Sequence, residues 1–147
     1  MKLAAKARMA VTGMADLAAF GNDAPVPLSA IAERQRLSLA FLEQVFAKLR
    51  RAGLVESKRG VGGGYILTRA ADEVKLGEIV AAVEEEVRTT ACQRGKGLGC
   101  TGTSARCLTH QLWMDLDDHI DSWLNTKTLA DVGNAAHRFP AEETVSA

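Results

Sequence analysis

The first 52 residues carry apolar side chains at intervals of three and four, which predicts three successive amphipathic helices. The first helix ends at Gly21-Asn22-Asp23, and the second covers residues 28–34. The third covers residues 39–52, with Ser38 as its N-cap and Gly53 as its stop. Its predicted inward-facing residues are Leu39, Leu42, Val45, Phe46 and Leu49. Two short helices joined by a tight connection are typical of a helix-turn-helix.

Two short strand patterns follow the third helix, with a run of glycines between them. The strands are residues 54–59 and 65–68, and residues 60–64 read Gly-Val-Gly-Gly-Gly. This pattern predicts a β-hairpin, which directly after a helix-turn-helix would be the wing of a winged helix. The glycines are not a Walker phosphate-binding motif, because the Gly-Lys-Ser/Thr sequence is absent.

The second half of the chain contains further helical patterns. A fourth helix places Leu76, Ile79, Val80 and Val83 on one face and ends at residues 84–86. A longer helix is predicted from Ser104 or Ala105 to about Leu124, with an apolar stripe and aspartates facing water. The stripe consists of Leu108, Leu112, Leu116, Ile120, Trp123 and Leu124, and the aspartates are Asp115, Asp117, Asp118 and Asp121. Such a stripe indicates a seam between subunits or packing against the first helix.

Charge is distributed unevenly although the formal net charge is zero. Residues 1–70 contain 11 Lys/Arg and 5 Asp/Glu, whereas residues 71–147 contain 7 and 13. This asymmetry indicates that the N-terminal half meets a polyanion, and charge scattered for solubility is the alternative. The sequence has no run of 18 apolar residues, so we expect no membrane partner. Free cysteines and the lack of an export signal favour the cytoplasm.

Three cysteines and one histidine are the candidate metal ligands. Cys92, Cys100, Cys107 and His110 follow the spacing Cys-x7-Cys-x6-Cys-x2-His in a segment rich in glycine and charge. We predict that Cys107 and His110 lie at the start of the long helix, where an i, i+3 pair shares one face and can reach one ion or cluster. A disulfide framework is disfavoured, because the number of cysteines is odd. The pattern favours a metal ion or an iron–sulfur cluster.

The spacing leaves the kind of metal open. Three thiolates and an imidazole can hold zinc, but structural zinc sites usually include ligand pairs two to four residues apart. Only Cys107 and His110 have that spacing. An iron–sulfur cluster tolerates longer loops between its ligands, and an imidazole in place of a thiolate raises its potential. Three inert cysteines are the simplest alternative.

Three classes of protein compete on these residues. An electron-transfer module like ferredoxin would explain a cluster but not a basic winged helix. A zinc-bound, thiol-redox or nitric-oxide-responsive repressor would explain the DNA-binding half with different chemistry at the same cysteines. An enzyme is disfavoured, because the sequence shows no nucleophile–base constellation and its three histidines are scattered.

We therefore predict a mainly α fold with a small β-hairpin wing, namely a winged helix-turn-helix plus a long C-terminal helix, which the family resemblance given next would make a dimerisation helix. Residues 1–85 would form the DNA-binding domain, and residues 86–107 the loop that the same resemblance would make the cluster-binding loop. Residues 104–134 would form the dimerisation helix and a short following helix, and residues 135–147 a disordered tail.

Four stretches resemble the IscR-like winged-helix iron–sulfur transcription regulators, and the resemblance runs from Met1 to about Val132. The stretches are AVTGMADLA, VPLSAIAERQRLSLAFLEQVFAKLRRAGLVESKRG, GGGY and CLTHQLW. The resemblance implies a homodimer that binds near-palindromic promoter DNA and regulates genes of iron–sulfur cluster biogenesis. It also implies one 2Fe–2S cluster per subunit, supplied by the iron–sulfur assembly machinery and held by Cys92, Cys100, Cys107 and His110.

The candidate DNA-binding residues lie on the third helix and the wing. They are Ser38, Ala40, Phe41, Glu43, Gln44, Lys48, Arg51, Arg59 and Gly60. Gln44 can bond adenine in the major groove, Glu43 can accept from cytosine, and Arg59 is placed to enter a minor groove. Ala40 and Phe41 stand where relatives tend to have hydroxyl-bearing residues. The candidate dimerisation residues are Leu108, Leu112, Leu116, Ile120 and Trp123.

Overall fold

The computed structural model describes residues 5–21, 23–83 and 108–136. The described helices are α1 (Ala5–Phe20), α2 (Leu28–Gln35), α3 (Leu39–Arg51), α4 (Leu76–Val83), α5 (His110–Thr126) and α6 (Leu129–Ala136). The strands are β1 (Val55–Lys58) and β2 (Gly64–Leu67), and a short 3-10 turn covers Ala71–Glu73. This order confirms the predicted fold class, a mainly α chain with a β-hairpin directly after the third helix.

The core forms where α1 crosses α3. Helix α1 buries residues three and four apart, since that spacing brings them to one face. Gly13 permits a close approach, because a Cβ at this position would lie 2.8 Å from Cε2 of Phe46. The Phe46 ring is fully buried and meets the Tyr65 ring edge to face at 5.2 Å. The largest fully buried side chains are Phe46, Met14, Ile31, Leu42, Leu49, Ile79, Leu129, Val55 and Val74.

The wing is an antiparallel pair in which Val55 faces Leu67 and Lys58 faces Gly64. Its base is tied to the connection between α1 and α2. The backbone N–H of Val26 donates to the carbonyl of Tyr65 at 3.0 Å, and the N–H of Tyr65 donates back at 2.9 Å. This extra bridge fixes the wing relative to the helix-turn-helix, because both partners are backbone groups.

The connection from α5 to α6 is bonded to the segment that precedes α4. The N–H of Leu76 donates to the Lys127 carbonyl at 2.9 Å, and the N–H of Leu129 donates to the Val74 carbonyl at 3.0 Å. Gly77 allows this approach, because a Cβ there would overlap the Asn125 side chain. Helix α5 therefore packs against α4, and α6 packs against α1.

Several sequence-based expectations are wrong in detail. Leu39 is 41% exposed rather than inward-facing, because it lies in the first turn of α3 at the edge of the buried face. Asp117 is buried, whereas we expected it to face water. The long helix begins at His110 rather than Ser104 or Ala105, because Leu108 and Thr109 form a turn. The predicted tail starts too early, since residues 135 and 136 belong to α6.

Other expectations fall outside the described residues. These are the end of the fourth helix at residues 84–86, the candidate ligands Cys92, Cys100 and Cys107, and residues 137–147. In the parts of the chain that are described, no helix is both long and apolar enough to span a bilayer.

Candidate nucleic-acid interface and metal ligands

Two capping interactions, one at each end of the turn between α2 and α3, fix the direction of this turn. Arg36 adopts the left-handed conformation with φ 53° and ends α2, and the N–H groups of Arg36 and Leu37 both donate to the Ala32 carbonyl. Ser38 then begins α3, where its hydroxyl accepts from the N–H of Phe41 at 3.3 Å. This second interaction is the N-cap that was predicted from the sequence. Together they set the angle at which α3 leaves α2.

Helix α3 presents one face to the core and the other to solvent. Ala40, Glu43, Gln44 and Arg51 are exposed, as the helical period predicted. Lys48 is half-buried, since it lies at the border of the two faces. Phe41 is also half-buried and packs against the core. The side chains of Glu43 and Gln44 make no hydrogen bond or ion pair with any described residue, so their polar groups are available to a partner.

An ion pair that the sequence analysis missed fastens α2 to α1. The Asp16 side chain is fully buried and accepts from Arg34 through Nε at 3.0 Å and Nη2 at 2.6 Å. Gln35 Nε2 donates to the same carboxylate at 2.8 Å. The hydrogen bonds to Asp16, together with its negative charge, raise the pKa of Arg34. The guanidinium also lies 4.6 Å from the centre of the Phe20 ring. Asp16 therefore fixes the end of α2 that leads into the turn.

The wing places a cation beside its tip. Arg59 is exposed and forms no ion pair within the described part of the chain. Gly60 and Gly62 have φ values of 94° and 75°, which favour glycine, and the N–H of Gly63 donates to the Gly60 carbonyl at 3.0 Å. The glycine run thus forms a tight turn that leaves Arg59 projecting from the hairpin.

A second ion pair joins the end of the wing to α4. Arg69 donates to Glu78 at 2.9 Å and to the Glu73 carbonyl at 3.2 Å. The other oxygen of Glu78 accepts from the N–H of Lys75 at 3.0 Å, which satisfies a backbone donor at the helix start. The N–H of Lys75 lowers the pKa of Glu78, and the Arg69 guanidinium lowers it further.

Of the four candidate metal ligands, the structure describes only His110. It is the first residue of α5 and is half-buried. The preceding turn is tied to the helix, since the Trp113 indole donates to the Thr109 hydroxyl at 3.1 Å. Among the described residues, no three His, Cys, Asp or Glu side chains lie close enough together to hold a metal ion. A site that uses His110 would therefore need ligands from outside this set, such as the three cysteines.

The apolar stripe before and along α5 is largely uncovered. Leu108, Leu112, Trp113 and Trp123 are exposed, whereas Leu116 and Ile120 are half-buried. Leu124, the last residue of the predicted stripe, packs against the core. The stripe thus does not serve mainly as packing against α1, which was one of the two alternatives.

Comparison with known proteins identifies the family. The profile of the Rrf2 family, described as an iron-dependent transcriptional regulator, matches residues 3–135. This chain belongs to the Rrf2 family. The HTH-type transcriptional regulators IscR of Erwinia tasmaniensis and Yersinia pestis are each 52% identical to it over 134 residues. The match covers 91% of this chain and 79% and 80% of those proteins, respectively.

Solved structures of Rrf2-type regulators have the same fold. The structure of T. potens IscR has a TM-score of 0.74 and 36% identity, and the match covers 92% of this chain and 88% of that one. The structure of CymR, the global cysteine regulator of B. subtilis, has a TM-score of 0.75 and 30% identity, with 92% and 98% covered. The Rrf2-family chain is therefore a winged-helix transcription regulator similar to IscR, and not an enzyme.

Proposed function

We propose that this chain is a DNA-binding regulator that senses iron–sulfur status through a 2Fe–2S cluster and controls genes of iron–sulfur cluster biogenesis. It acts in the cytoplasm as a homodimer on near-palindromic promoters, with one cluster per subunit from the assembly machinery. The observation that carries the proposal is the exposed face of α3, where Glu43 and Gln44 have no partner among the described residues. Helix-turn-helix proteins use the corresponding helix to contact base edges in the major groove.

The proposed DNA contacts divide into phosphate contacts and base contacts. Arg51 and Arg59 are exposed cations without an ion-pair partner among the described residues, so they are available to phosphates. Gln44 can bond adenine through two hydrogen bonds, worth about 1–3 kcal/mol of discrimination. Each neutralised phosphate should contribute about −0.9 to the slope of log K against log salt concentration. Arg51→Ala should therefore flatten the salt dependence by about one unit, whereas Gln44→Ala should leave it unchanged.

Glu43 has the opposite charge from the other proposed contacts. A carboxylate on this face is repelled by phosphate, yet it can accept from the amino group of cytosine. We propose that Glu43 acts as a filter, which disfavours some promoters in the cluster-free protein. Glu43→Ala should then allow cluster-free protein to bind sites that otherwise need the cluster. Equal affinities of cluster-free wild type and variant at those sites would contradict the filter.

The proposed dimer uses the stripe on α5. Leu112 is 60% exposed and Trp123 is 52% exposed, which is uncommon for large apolar side chains on one face of one helix. In a two-fold dimer the same stripe from both subunits would be covered. The acidic residues Asp115, Asp118 and Asp121 are exposed as well, and the helical period places Asp118 and Asp121 on the side opposite the stripe, where a dimer would leave them in solvent.

The donor set fits an iron–sulfur cluster chemically. Thiolates bind both irons of a 2Fe–2S cluster, and one imidazole in place of a thiolate raises the potential and adds a protonatable ligand. In this proposal Cys92, Cys100, Cys107 and His110 would hold the cluster, and the cluster would supply an iron centre whose loss or oxidation reports a change in iron or oxygen conditions. His110 contributes a ligand at the start of α5, the helix that carries the dimerisation stripe.

The test is purification of the full chain without oxygen, followed by absorption spectroscopy and assays of iron and acid-labile sulfide. The expected result is a reddish protein with two irons and two sulfides per chain, which is the composition of the 2Fe–2S cluster itself. Alanine at the three cysteine positions should remove the colour and leave the fold intact by circular dichroism. A colourless wild-type protein that contains zinc would contradict the cluster and leave DNA binding standing.

A further inference from the structure

The first turn of α3 exposes aliphatic side chains, one of which, Leu39, was expected to face inward. Leu39 is 41% exposed, although the other leucines of this helix, Leu42 and Leu49, are fully buried. Its neighbour Ala40 is also exposed. Neither side chain carries a hydrogen-bonding group, and the first turn contains no charged residue. The helix therefore begins with an apolar surface directly after the Ser38 cap.

This apolar surface is continuous with the polar residues of the next turn. Side chains four residues apart are neighbours on a helix, so Leu39 lies beside Glu43 and Ala40 beside Gln44. All four are exposed. They form one patch, which we call the reading patch, with an aliphatic half toward the start of α3 and a hydrogen-bonding half one turn later.

The position of this patch determines what its aliphatic half can meet. In helix-turn-helix proteins the N-terminal residues of the second helix contact base edges in the major groove. The apolar group that bases present there is the C5-methyl of thymine, because the other groups are hydrogen-bond donors and acceptors. A leucine and an alanine cannot form hydrogen bonds with those polar groups. If they covered a donor or acceptor of a base, that group would lose its hydrogen bonds to water and binding would be weaker. An aliphatic first turn therefore matches thymine.

We infer that Leu39, with Ala40 beside it, is a specificity-determining residue that reads the methyl group of a thymine in each half-site. The inference rests on the proposed DNA binding and deepens it, since it names the base feature that one half of the reading patch recognises. The small side chain of Ala40 matters because it lets the helix approach the base edges closely, so that Leu39 can reach the methyl.

The size of the effect follows from the burial of one methyl group. Covering one such carbon changes affinity by about fourfold, which corresponds to ~0.8 kcal/mol per buried carbon. The loss on removing the thymine methyl should thus be about fourfold per half-site when Leu39 is present. It should vanish when the side chain of residue 39 is too short to reach.

The experiment begins with selection of duplexes from a random-sequence library by the full-length protein. The selected duplex is then synthesised as a series in which each thymidine in turn is replaced by deoxyuridine, which removes the methyl and keeps every hydrogen-bonding group. Affinities are measured for the wild type, for Leu39→Ala, and for Leu39→Met as a matched apolar control. Because residue 39 is exposed, both variants should fold, and circular dichroism checks this.

We expect one thymidine per half-site at which deoxyuridine weakens the wild type and Leu39→Met but not Leu39→Ala. An effect of the methyl on DNA shape alone would persist in Leu39→Ala, and that outcome would overturn the inference. Insensitivity of the wild type at every thymidine would overturn it as well, while leaving the proposed function intact. If the library yields no enriched sequence at all, the proposed sequence-specific DNA binding itself fails.

Discussion

Replacement of Arg34 should destabilise the protein more than replacement of its partner Asp16. The two ends of this ion pair differ in their access to water, since the Asp16 side chain is 0% exposed and the Arg34 side chain is 35% exposed. Arg34→Ala leaves a buried carboxylate whose remaining donor among the described residues is Gln35. Asp16→Ala instead leaves a guanidinium that can turn toward solvent. The unpaired buried carboxylate therefore lowers the free energy of unfolding more than the unpaired, solvent-accessible guanidinium does.

The expected losses in the free energy of unfolding follow from the group that each variant leaves unpaired. Removal of one partner from a buried ion pair costs about 3–5 kcal/mol, and the hydrogen bond from Gln35 places Arg34→Ala near 3 kcal/mol. Asp16→Ala loses charged hydrogen bonds worth roughly 1.5–3 kcal/mol. Alanine regains about 0.5 kcal/mol of helix propensity in α1, so the net loss should be about 1–2 kcal/mol.

Urea unfolding followed by far-ultraviolet circular dichroism measures this difference. With a slope of about 2 kcal/mol per molar, Arg34→Ala should lower the midpoint by about 1.5 M and Asp16→Ala by about half as much. All proteins are compared at one concentration, because dimerisation would make stability depend on it. Arg8→Ala is the matched control, an exposed arginine on α1 without an ion pair among the described residues, and it should change stability by less than about 0.5 kcal/mol. Phe20→Leu controls for the lost contact between the guanidinium and the ring.

The double variant provides the refutation. Addition of Asp16→Ala to Arg34→Ala removes the stranded charge, so the double variant should be more stable than Arg34→Ala alone. If the double variant is instead less stable than Arg34→Ala, the buried carboxylate is not the source of the cost. Equal midpoints for the two single variants would contradict the argument from exposure.

Three further predictions concern the backbone around the wing and α4. Gly77→Ala should cost about 1–3 kcal/mol, because its Cβ would overlap Asn125, and the urea midpoint should recover when Asn125→Ala is added. Gly64→Ala should weaken both stability and DNA affinity, since φ is 153° and the Cβ would overlap the backbone of the α1–α2 connection; an unchanged urea midpoint would contradict this. The N–H of Lys75 lowers the pKa of Glu78, so this group stabilises the fold above its unfolded pKa of about 4.3 and ceases to do so as the pH falls through the lower folded value. In urea titrations, Glu78→Gln should therefore lose less stability than the wild type when the pH falls from about 5 to about 3. Parallel plots of stability against pH for the two proteins would contradict this prediction.

Local signals in the sequence were sufficient to predict the helix-turn-helix and the bounds of α3. Helix α3 begins after Ser38 and ends before Gly53 as predicted, because an N-cap hydroxyl and a glycine at φ 77° act on adjacent backbone groups. The exposed residues of α3 were also predictable, since a period of 3.6 separates a buried face from an exposed one. Leu39 was the exception, because the period alone does not show that a first-turn leucine lies at the edge of the core.

Buried carboxylates were not predictable from the periodicity. Asp16 and Asp117 are both buried, yet aspartate is counted as a surface residue in any pattern of apolar positions. The partner of Asp16 is 18 residues away on another helix, so no local signal connects the two. The same reason hides the contact between Gly77 and Asn125, and the bridge from Val26 to the wing. Each depends on how elements pack in three dimensions.

The wing and α5 meet on one short segment, residues 69–78, but with unequal strength. Two backbone hydrogen bonds join residues 74–76 to residues 127–129, and Gly77 brings α4 against the end of α5. On the other side, the wing is joined through the half-exposed ion pair of Arg69 and Glu78, and such pairs contribute little. Residues 74–78 are therefore held against α5, whereas the wing is held by this weaker ion pair and by its own bridge to the α1–α2 connection. Because that bridge consists of two backbone hydrogen bonds, the α1–α2 connection holds the wing more firmly than the ion pair to α4 does.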